Sequence, residues 1–171
     1  MQGNSTDVLP CNVTWAAAWT KSRAEKALVD YLDSRKVGSF LPIITRRRVY
    51  GKIVRESRLP LFSSYVFFDL NGISRLQLFE SRKVADVLIP PNPEELRKEL
   101  SNLALALQSN IPLCQTSLTQ AGTPVQIMRG TLKGVVGETV RMQSSTRLIL
   151  RVQFIGKAAE LEIDEAYVER I

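Results

Sequence analysis

Hydrophobic and polar positions follow two different patterns along the chain. Up to about residue 108, apolar runs of strand length alternate with segments in which apolar residues recur every three or four positions. The second spacing places apolar side chains on one face of a helix. After residue 121 only short strand-like runs remain, separated by turn-forming residues. The sequence therefore predicts an α+β fold, in which a sheet-and-helix domain precedes a small antiparallel β-barrel.

Three segments are predicted to be helical. Residues 22–35 begin with Ser22 and Glu25 in the spacing of a capping box, and their apolar positions recur at helical intervals. Residues 73–81 form a shorter helical segment. Asn92 is a suitable N-cap for the third helix, with Pro93 at its first position. Its buried stripe is predicted to be Leu96, Leu100, Leu103 and Leu107.

Strands are predicted in both parts of the chain. In the first part they are residues 13–19, 39–45, 61–70 and 84–89, together with a hairpin over 46–60 that turns at Gly51. In the second part they are residues 123–128, 134–142, 147–154 and 159–163. These patterns divide the chain into a disordered tail (1–12), a first domain (13–108), a linker (109–121) and a barrel domain (122–171).

Charge is concentrated in the predicted hairpin. The 171 residues carry 23 Lys and Arg against 17 Asp and Glu, a formal net charge of +6. Between Arg46 and Arg58, six basic side chains accompany a single acid, and Tyr50 lies among them. A solvated loop is one interpretation of such a run. A cluster this dense also favours an anionic partner such as a nucleic acid backbone.

The composition excludes several kinds of catalytic and metal site. The chain has no His, which rules out Ser-His-Asp triads and His-containing zinc sites. Its two cysteines, Cys11 and Cys114, are too far apart in sequence for a paired-Cys metal motif. An enzyme would have to use acids such as Asp69, Glu80 and Asp86, whose spacing resembles no acid–base motif. We therefore expect no enzyme activity, no metal and no cofactor.

The location expected from the sequence is the cytoplasm. No apolar run approaches the ~20 residues needed to span a bilayer. The first twelve residues lack the basic and apolar regions of a signal peptide. We therefore expect cysteines kept reduced in the cytosol, and no membrane partner.

Two motifs give the chain a resemblance to a known family. Residues 60–67 read PLFSSYVF, following an aromatic strand at 15–19, a Glu-bearing helix and Pro42. From Val125 the chain follows the pattern V-x-I-x-x-G-x-φ-x-G-x-x-G, where φ is apolar. From about Trp15 onward it resembles the NusG family of transcription elongation factors, in which an NGN domain precedes an SH3-like KOW barrel. The basic hairpin resembles that of the specialised RfaH-like paralogues.

The resemblance implies a polymerase-binding surface on the first domain. Family members hold an antiparallel sheet with helices, and an apolar depression on it binds the clamp helices of RNA polymerase. The matching positions are Trp19, Phe62, Tyr65 and Phe67. Period-2 geometry sends Tyr65 and Phe67 to one face of their strand, and Val66 and Phe68 to the other. The alternative is that all these aromatic residues belong to the core.

The resemblance also implies contact with the non-template DNA strand or nascent RNA. Lys21 follows the first predicted strand and Arg82 precedes the last strand of the first domain, so one sheet edge could bring them together. The expected nucleic-acid-binding residues are Lys21, Arg23, Ser81, Arg82 and Lys83 at this edge, and Arg46, Arg47, Arg48 and Lys52 in the hairpin. Arg and Lys side chains suit phosphate contacts.

A turn in the second domain is the remaining expected site. The family's KOW loop corresponds to Gly130, Leu132, Lys133 and Gly134, without the Pro and Phe of the housekeeping protein. The resemblance implies a ribosomal protein or Rho as the partner there. It implies a monomer that binds RNA polymerase and modulates pausing, termination or antitermination. The alternative is a KOW-containing RNA-binding or ribosome-associated protein that does not bind the polymerase.

Overall fold

A computed structural model describes residues 9–117 and 120–171 of the chain. Contacts divide the chain into two compact units, Val13–Pro91 and Asn92–Ile171, and residues 9–12 group with the second. Residues 1–8 of the predicted tail and residues 118–119 of the predicted linker lie outside the described residues.

The first unit is a mixture of strands and helices, as predicted. Its elements are β1 (Trp15–Thr20), α1 (Glu25–Ser34), β2 (Ser39–Phe40), β3 (Ile43–Tyr50), β4 (Ile53–Pro60), β5 (Tyr65–Asp69), α2 (Arg75–Glu80) and β6 (Val84–Leu88). Four strands form an antiparallel sheet in the order β2-β5-β1-β6. The central pair, β5 and β1, positions the aromatic residues of the expected polymerase site.

One face of this sheet packs against the two helices. Val66 and Phe68 of β5 are fully buried in a cluster that includes Leu28 and Leu32 of α1 and Leu78 of α2. Val66 and Phe68 therefore share one face of β5, as the alternation predicts, and this is the face that packs against the helices. Fully burying a Leu or Phe side chain contributes about 1.5–3 kcal/mol each. This cluster therefore stabilises the packing of the helices on the sheet.

The first helix starts later than the sequence predicts. The capping box expected at Ser22 does not form, because α1 begins at Glu25 and Ala24 makes no side-chain cap. Arg23 has a φ of 58°, a left-handed conformation that an α-helix cannot continue through. The Glu25 carboxylate instead accepts a hydrogen bond from the backbone N–H of Ser64 at 2.8 Å.

Two predicted strands are each interrupted at a single residue. The segment 39–45 is split into β2 and β3, because Pro42 between them has no N–H to donate to a ladder. The segment 61–70 becomes strand only from Tyr65, because Ser64 has a left-handed φ of 69°. Leu61 and Phe62 consequently lie in a loop.

The predicted basic hairpin is present. Strands β3 and β4 pair with each other in a separate two-stranded sheet, from Ile43 opposite Pro60 to Tyr50 opposite Ile53. Gly51 and Lys52 form the two-residue turn, and Gly51 has a φ of 60°. Glycine at the first central position is typical of a type II′ hairpin turn. The turn therefore fixes which hairpin side chains share a face.

The second unit combines one long helix with an antiparallel sheet. Its elements are α3 (Pro93–Gln108), β7 (Cys114–Thr116), β8 (Thr123–Ile127), β9 (Val136–Arg141), β10 (Thr146–Val152), β11 (Lys157–Ile163) and β12 (Val168–Arg170). The strands pair in the order β12-β8-β9-β10-β11-β7. Strand β7 arises within the predicted linker, and neither β7 nor β12 was expected from the sequence.

Helix α3 belongs to the second unit by its contacts. It begins with the predicted cap, in which Asn92 Oδ1 accepts from the N–H of Glu95 at 3.2 Å. The helix packs against β10. Asn102 Oδ1 accepts from Val136 N at 3.0 Å, and a Glu99 carboxylate oxygen accepts from Gln153 N at 3.1 Å. The sequence had grouped this helix with residues 13–108, and the folding of 13–108 and 122–171 as separate domains stays a prediction.

Candidate protein- and nucleic-acid-binding surfaces

Two of the four expected polymerase-binding residues form an exposed pair. Trp19 near the end of β1 lies directly opposite Tyr65 at the start of β5. The Trp19 side chain is 49% exposed, and Tyr65 is half-buried. Both residues lie on the sheet face opposite α1 and α2, since their neighbours Ala18 and Val66 belong to the core cluster.

The other two residues are buried, so the expectation of a four-residue exposed patch is wrong. Phe67 lies on central strand β5 with Ala17 opposite on one side and Phe40 on the other. Its ring centroid is 6.3 Å from that of Phe40, and it has no exposed surface. Phe62 is 1% exposed. Side chains with this little exposed surface have little access to a partner, so both phenylalanines serve packing.

Three loops meet at the end of the sheet next to the Trp19–Tyr65 pair. The backbone N–H of Thr20 donates to Ser64 O at 2.9 Å, and that of Lys21 donates to Lys83 O at 2.8 Å. The loops after β1, before β5 and before β6 are therefore held side by side. The sequence predicted that Lys21 and Arg82 come together, and the observed bond joins Lys21 to Lys83, the residue after Arg82.

Each of these loops contains a non-glycine residue in the left-handed region. The φ values are 58° for Arg23, 69° for Ser64 and 61° for Arg82. Such conformations are uncommon outside glycine and are concentrated at functional sites and tight connections. The hydrogen bond from Ser64 N to buried Glu25 supports one of them. The loop edge is thus ordered by the fold.

The same edge has a uniform charge. Arg23 and Arg82 are exposed, as is Lys21, while Lys83 is half-buried. None of these four forms an ion pair within the described part of the chain. Basic groups without acidic partners create a positive potential that attracts anions. We name Lys21, Arg23, Arg82 and Lys83 the basic edge.

Ser81 has a different role from the one expected. Its hydroxyl donates to Leu78 O and accepts from the N–H of Lys83 at 3.2 Å. These bonds close the last turn of α2 and orient the loop that follows. A hydroxyl with both contacts inside the protein positions the basic edge and has little capacity left for phosphate.

The hairpin carries the other group of expected nucleic-acid-binding residues. Arg46, Arg47, Arg48 and Lys52 are all exposed, as expected. The hairpin is joined at its base by the bond from Leu61 N to Pro42 O at 2.7 Å and by Lys26 Nζ donating to Arg58 O at 2.9 Å. Arg55 was not singled out from the sequence. The predicted turn at Gly51 contained the signal for Arg55, because the register that this turn sets places Arg55 opposite Arg48.

The expected KOW loop is a tight turn with one buried member. Gly130 and Gly134 have φ values of 78° and 94°, which explains why glycine occupies both positions. Leu132 is 5% exposed, so its expected contact with a partner is replaced by packing. Lys133 is exposed. The turn borders a cavity of about 950 Å³, which Met142, Glu165 and Tyr167 also line.

Burial changes the acidity of one carboxyl in the second unit. Desolvation raises the pKa of Glu99 on α3 from 4.5 to about 7, against the lowering effect of its hydrogen bond from Gln153 N. The nearby carboxylate of Glu95 raises this pKa further.

The acids considered for catalysis do not form a site. Asp69 lies opposite Trp15 at the first residue of β1, whereas Asp86 lies opposite Trp19 near the last. The two acids are therefore near opposite ends of that strand. Asp86 also forms an ion pair with Arg75 at 3.2 Å. Among the residues that the structure describes, no cluster of Cys, Asp and Glu has the arrangement of a metal site. Over the same residues, no helix is long and apolar enough to cross a membrane.

Comparisons with known proteins give a likeness to solved structures. No family model and no curated protein matches the chain. A solved structure described as "Domain interaction in Thermotoga maritima NusG" is similar at a TM-score of 0.47 and 19% sequence identity. The match covers 92% of this chain and 97% of that one. A likeness of this size carries no argument about what the present chain binds, so the functional case depends on its own motifs and surfaces.

Proposed function

We propose that this chain is a NusG-type transcription elongation factor that binds RNA polymerase through its first unit. One observation carries the proposal. The exposed Trp19–Tyr65 pair and the basic edge lie at the same end of one antiparallel sheet. This places a protein-binding feature beside a nucleic-acid-binding feature, as a factor that works at the edge of a transcription bubble requires.

The Trp19–Tyr65 pair suits a helical protein partner. Trp and Tyr offer large rigid surfaces with one polar atom each, and they are enriched among the residues that dominate binding energy. An amphipathic helix laid across a sheet end would bury both rings. We therefore assign the clamp helices of the polymerase to this pair. Phe62 and Phe67 support the pair from within the core.

The basic edge suits the exposed single strand beside the polymerase. Lysine and arginine side chains contact phosphates without reading sequence, and arginine can also stack on a base. The ordered backbone at Arg23 and Arg82 reduces the conformational entropy that binding would otherwise remove.

Joint binding of polymerase and nucleic acid gives the mechanism. A factor that contacts the clamp helices and the exposed strand together binds the closed clamp better than the open, paused clamp. Differential affinity of this kind shifts the equilibrium towards the closed state. A coupling free energy of about 1–3 kcal/mol would change pause lifetimes by roughly 5–150-fold. Suppressed pausing and antitermination follow from such a shift.

We propose that the second unit recruits a further protein. Support comes from the cavity beside the turn at Gly130, which has both apolar and charged side chains in its lining, and from the exposure of Lys133 in the same turn. A ribosomal protein or Rho is the partner type that the sequence resemblance implies. Leu132 stabilises the turn and is not part of the contact.

Binding to purified RNA polymerase tests the proposal. The variants Trp19→Ala and Tyr65→Ala should each weaken binding about tenfold or more, as for buried aromatic anchors in other interfaces. Leu76→Ala is the matched control, because Leu76 is 71% exposed and lies on α2, away from the pair. Pause lifetimes on a paused scaffold should shorten with the unaltered protein and with the control.

Two outcomes would contradict the proposal. One is unchanged polymerase affinity in both aromatic variants. The other is a protein that binds ribosomes or RNA but leaves polymerase unbound, which would establish the KOW-containing RNA-binding or ribosome-associated alternative. A run-off assay on a template with a terminator then separates pause suppression from antitermination.

A further inference from the structure

The two faces of the β3–β4 hairpin differ in chemistry. Strand geometry places alternate side chains on opposite faces. Arg46, Arg48 and Tyr50 therefore share one face of β3, and their partners Ser57, Arg55 and Ile53 share the same face of β4. We call this the arginine face. Thr45, Arg47 and Val49 project to the other side with their own partners.

The arginine face is concave and contains no acid. It encloses a groove of about 540 Å³. Its lining residues are Arg46, Arg48, Tyr50, Ile53, Arg55, Ser57 and Leu59. Arg48 lies directly opposite Arg55. Like charges in directly opposed positions of a sheet destabilise it, so this pair favours an anion between the two guanidinium groups.

The opposite face has a smaller charge excess, because it carries Arg47 and Arg58 together with Glu56. Arg47 lies directly opposite Glu56, the single acid of the hairpin, which is a favourable cross-strand arrangement. Arg58 faces Thr45, and Val49 faces Val54. The charge excess noted in the sequence is therefore divided unequally between the two faces.

We infer that the arginine face is a binding groove for single-stranded nucleic acid, with the phosphates between Arg46, Arg48 and Arg55 and a base stacked on Tyr50. The inference extends the proposed function by naming a second nucleic-acid contact. It rests on the proposed function only in identifying which nucleic acid supplies the strand. Non-template DNA and nascent RNA share the required chemistry.

The shape and the apolar residues favour a single strand over a duplex. Single-strand binders combine a positive groove with aromatic side chains on which bases stack. Tyr50 is 57% exposed and Ile53 59%, which leaves both available to a base at the tip of the hairpin. A β-ribbon that reads duplex DNA inserts into the major groove and contacts the base edges there. The arginine face is concave, with its charges along the middle, so its shape fits around a single backbone instead.

The test compares two double variants with the same net charge. Arg46→Gln/Arg48→Gln removes two charges from the arginine face, and Arg47→Gln/Arg58→Gln removes two from the opposite face. Affinity of the full chain for labelled oligothymidylate and oligouridylate is measured across a salt series. The first variant should lose at least tenfold in affinity, and its log–log salt slope should fall by about 1.4, as expected for two phosphate contacts on a single strand. The second should stay within about twofold.

Stacking has its own variant. Tyr50→Ala should weaken binding by about 5–150-fold with little change in salt slope, because stacking contributes roughly 1–3 kcal/mol per base without releasing counterions. Equal losses in the two double variants, or tighter binding to a duplex of the same length, would overturn the inference. No polymerase is present, so failure here is distinct from failure of the Trp19–Tyr65 assignment.

Discussion

Glu25 shows how one buried acid organises the candidate surface. Its side chain is 7% exposed and accepts a hydrogen bond from Ser64 N, the residue with left-handed backbone just before β5. The sequence indicated a capping role for Glu25 within its own helix. The structure uses it across 39 residues to hold the loop beside the basic edge.

Replacing Glu25 should destabilise the protein. Glu25→Ala leaves the half-buried Ser64 N–H without its acceptor, at a cost of about 1–3 kcal/mol. Urea denaturation should therefore show a lower midpoint at an unchanged slope. Glu80→Ala is the control, because Glu80 is exposed at the end of α2. A midpoint equal to that of the control would show that Ser64 has another acceptor.

Glu99 predicts a pH dependence in the second unit. Its pKa is raised from 4.5 to about 7, so the folded state binds the proton more tightly than the unfolded state. The contribution of Glu99 to the stability of the fold therefore becomes less favourable as the pH rises from 4.5 to about 7, and it is least favourable above pH 7. Glu99→Gln keeps a side-chain oxygen for Gln153 N and removes the charge.

The comparison of Glu99→Gln with the unaltered protein isolates this group. The variant should have the higher melting temperature above pH 7, and the difference should vanish below pH 4.5. Thermal unfolding across this range, followed by circular dichroism, gives the measurement. Glu169→Gln is the control, since Glu169 is exposed on β12. A constant difference at every pH would refute the role of desolvation.

At the scale of the element, sequence patterns correctly predicted those features that neighbouring residues determine. Period-2 alternation correctly placed Val66 and Phe68 on the same face of β5, and the predicted Asn92-Pro93 cap correctly marked the start of α3. The burial of Phe67 was not predictable in the same way. It depends on β2 and β1 pairing on either side of β5, which no local pattern specifies.

The hairpin turn offers a prediction about a single element. Gly51 is left-handed, and a Cβ added there would meet no atom within 4 Å, so backbone strain alone governs a replacement. Gly51→Val should cost about 1–3 kcal/mol locally and speed amide hydrogen exchange throughout β3 and β4. Gly51→Asn, a residue that tolerates this conformation, should change exchange little. Similar exchange in both variants would argue against the type II′ turn.

At the scale of the whole molecule, the order of elements followed from the sequence but their grouping did not. Strands and helices of the first part appear in the predicted order, and short antiparallel strands fill the second part. Helix α3 has the same amphipathic pattern whichever unit it joins. Its grouping is visible only in contacts such as Asn102 with Val136, which link residues far apart in sequence.

The separate hairpin has a mechanical consequence. Each strand is eight residues long, so the turn lies about 26 Å from the base at the usual rise per residue. Over that length, a tilt of about ten degrees at the base would displace the tip by roughly 4–5 Å. The ribbon can thus act as a lever arm, in which small changes of backbone angle near Pro42 and Leu61 produce larger displacements of the side chains near the turn.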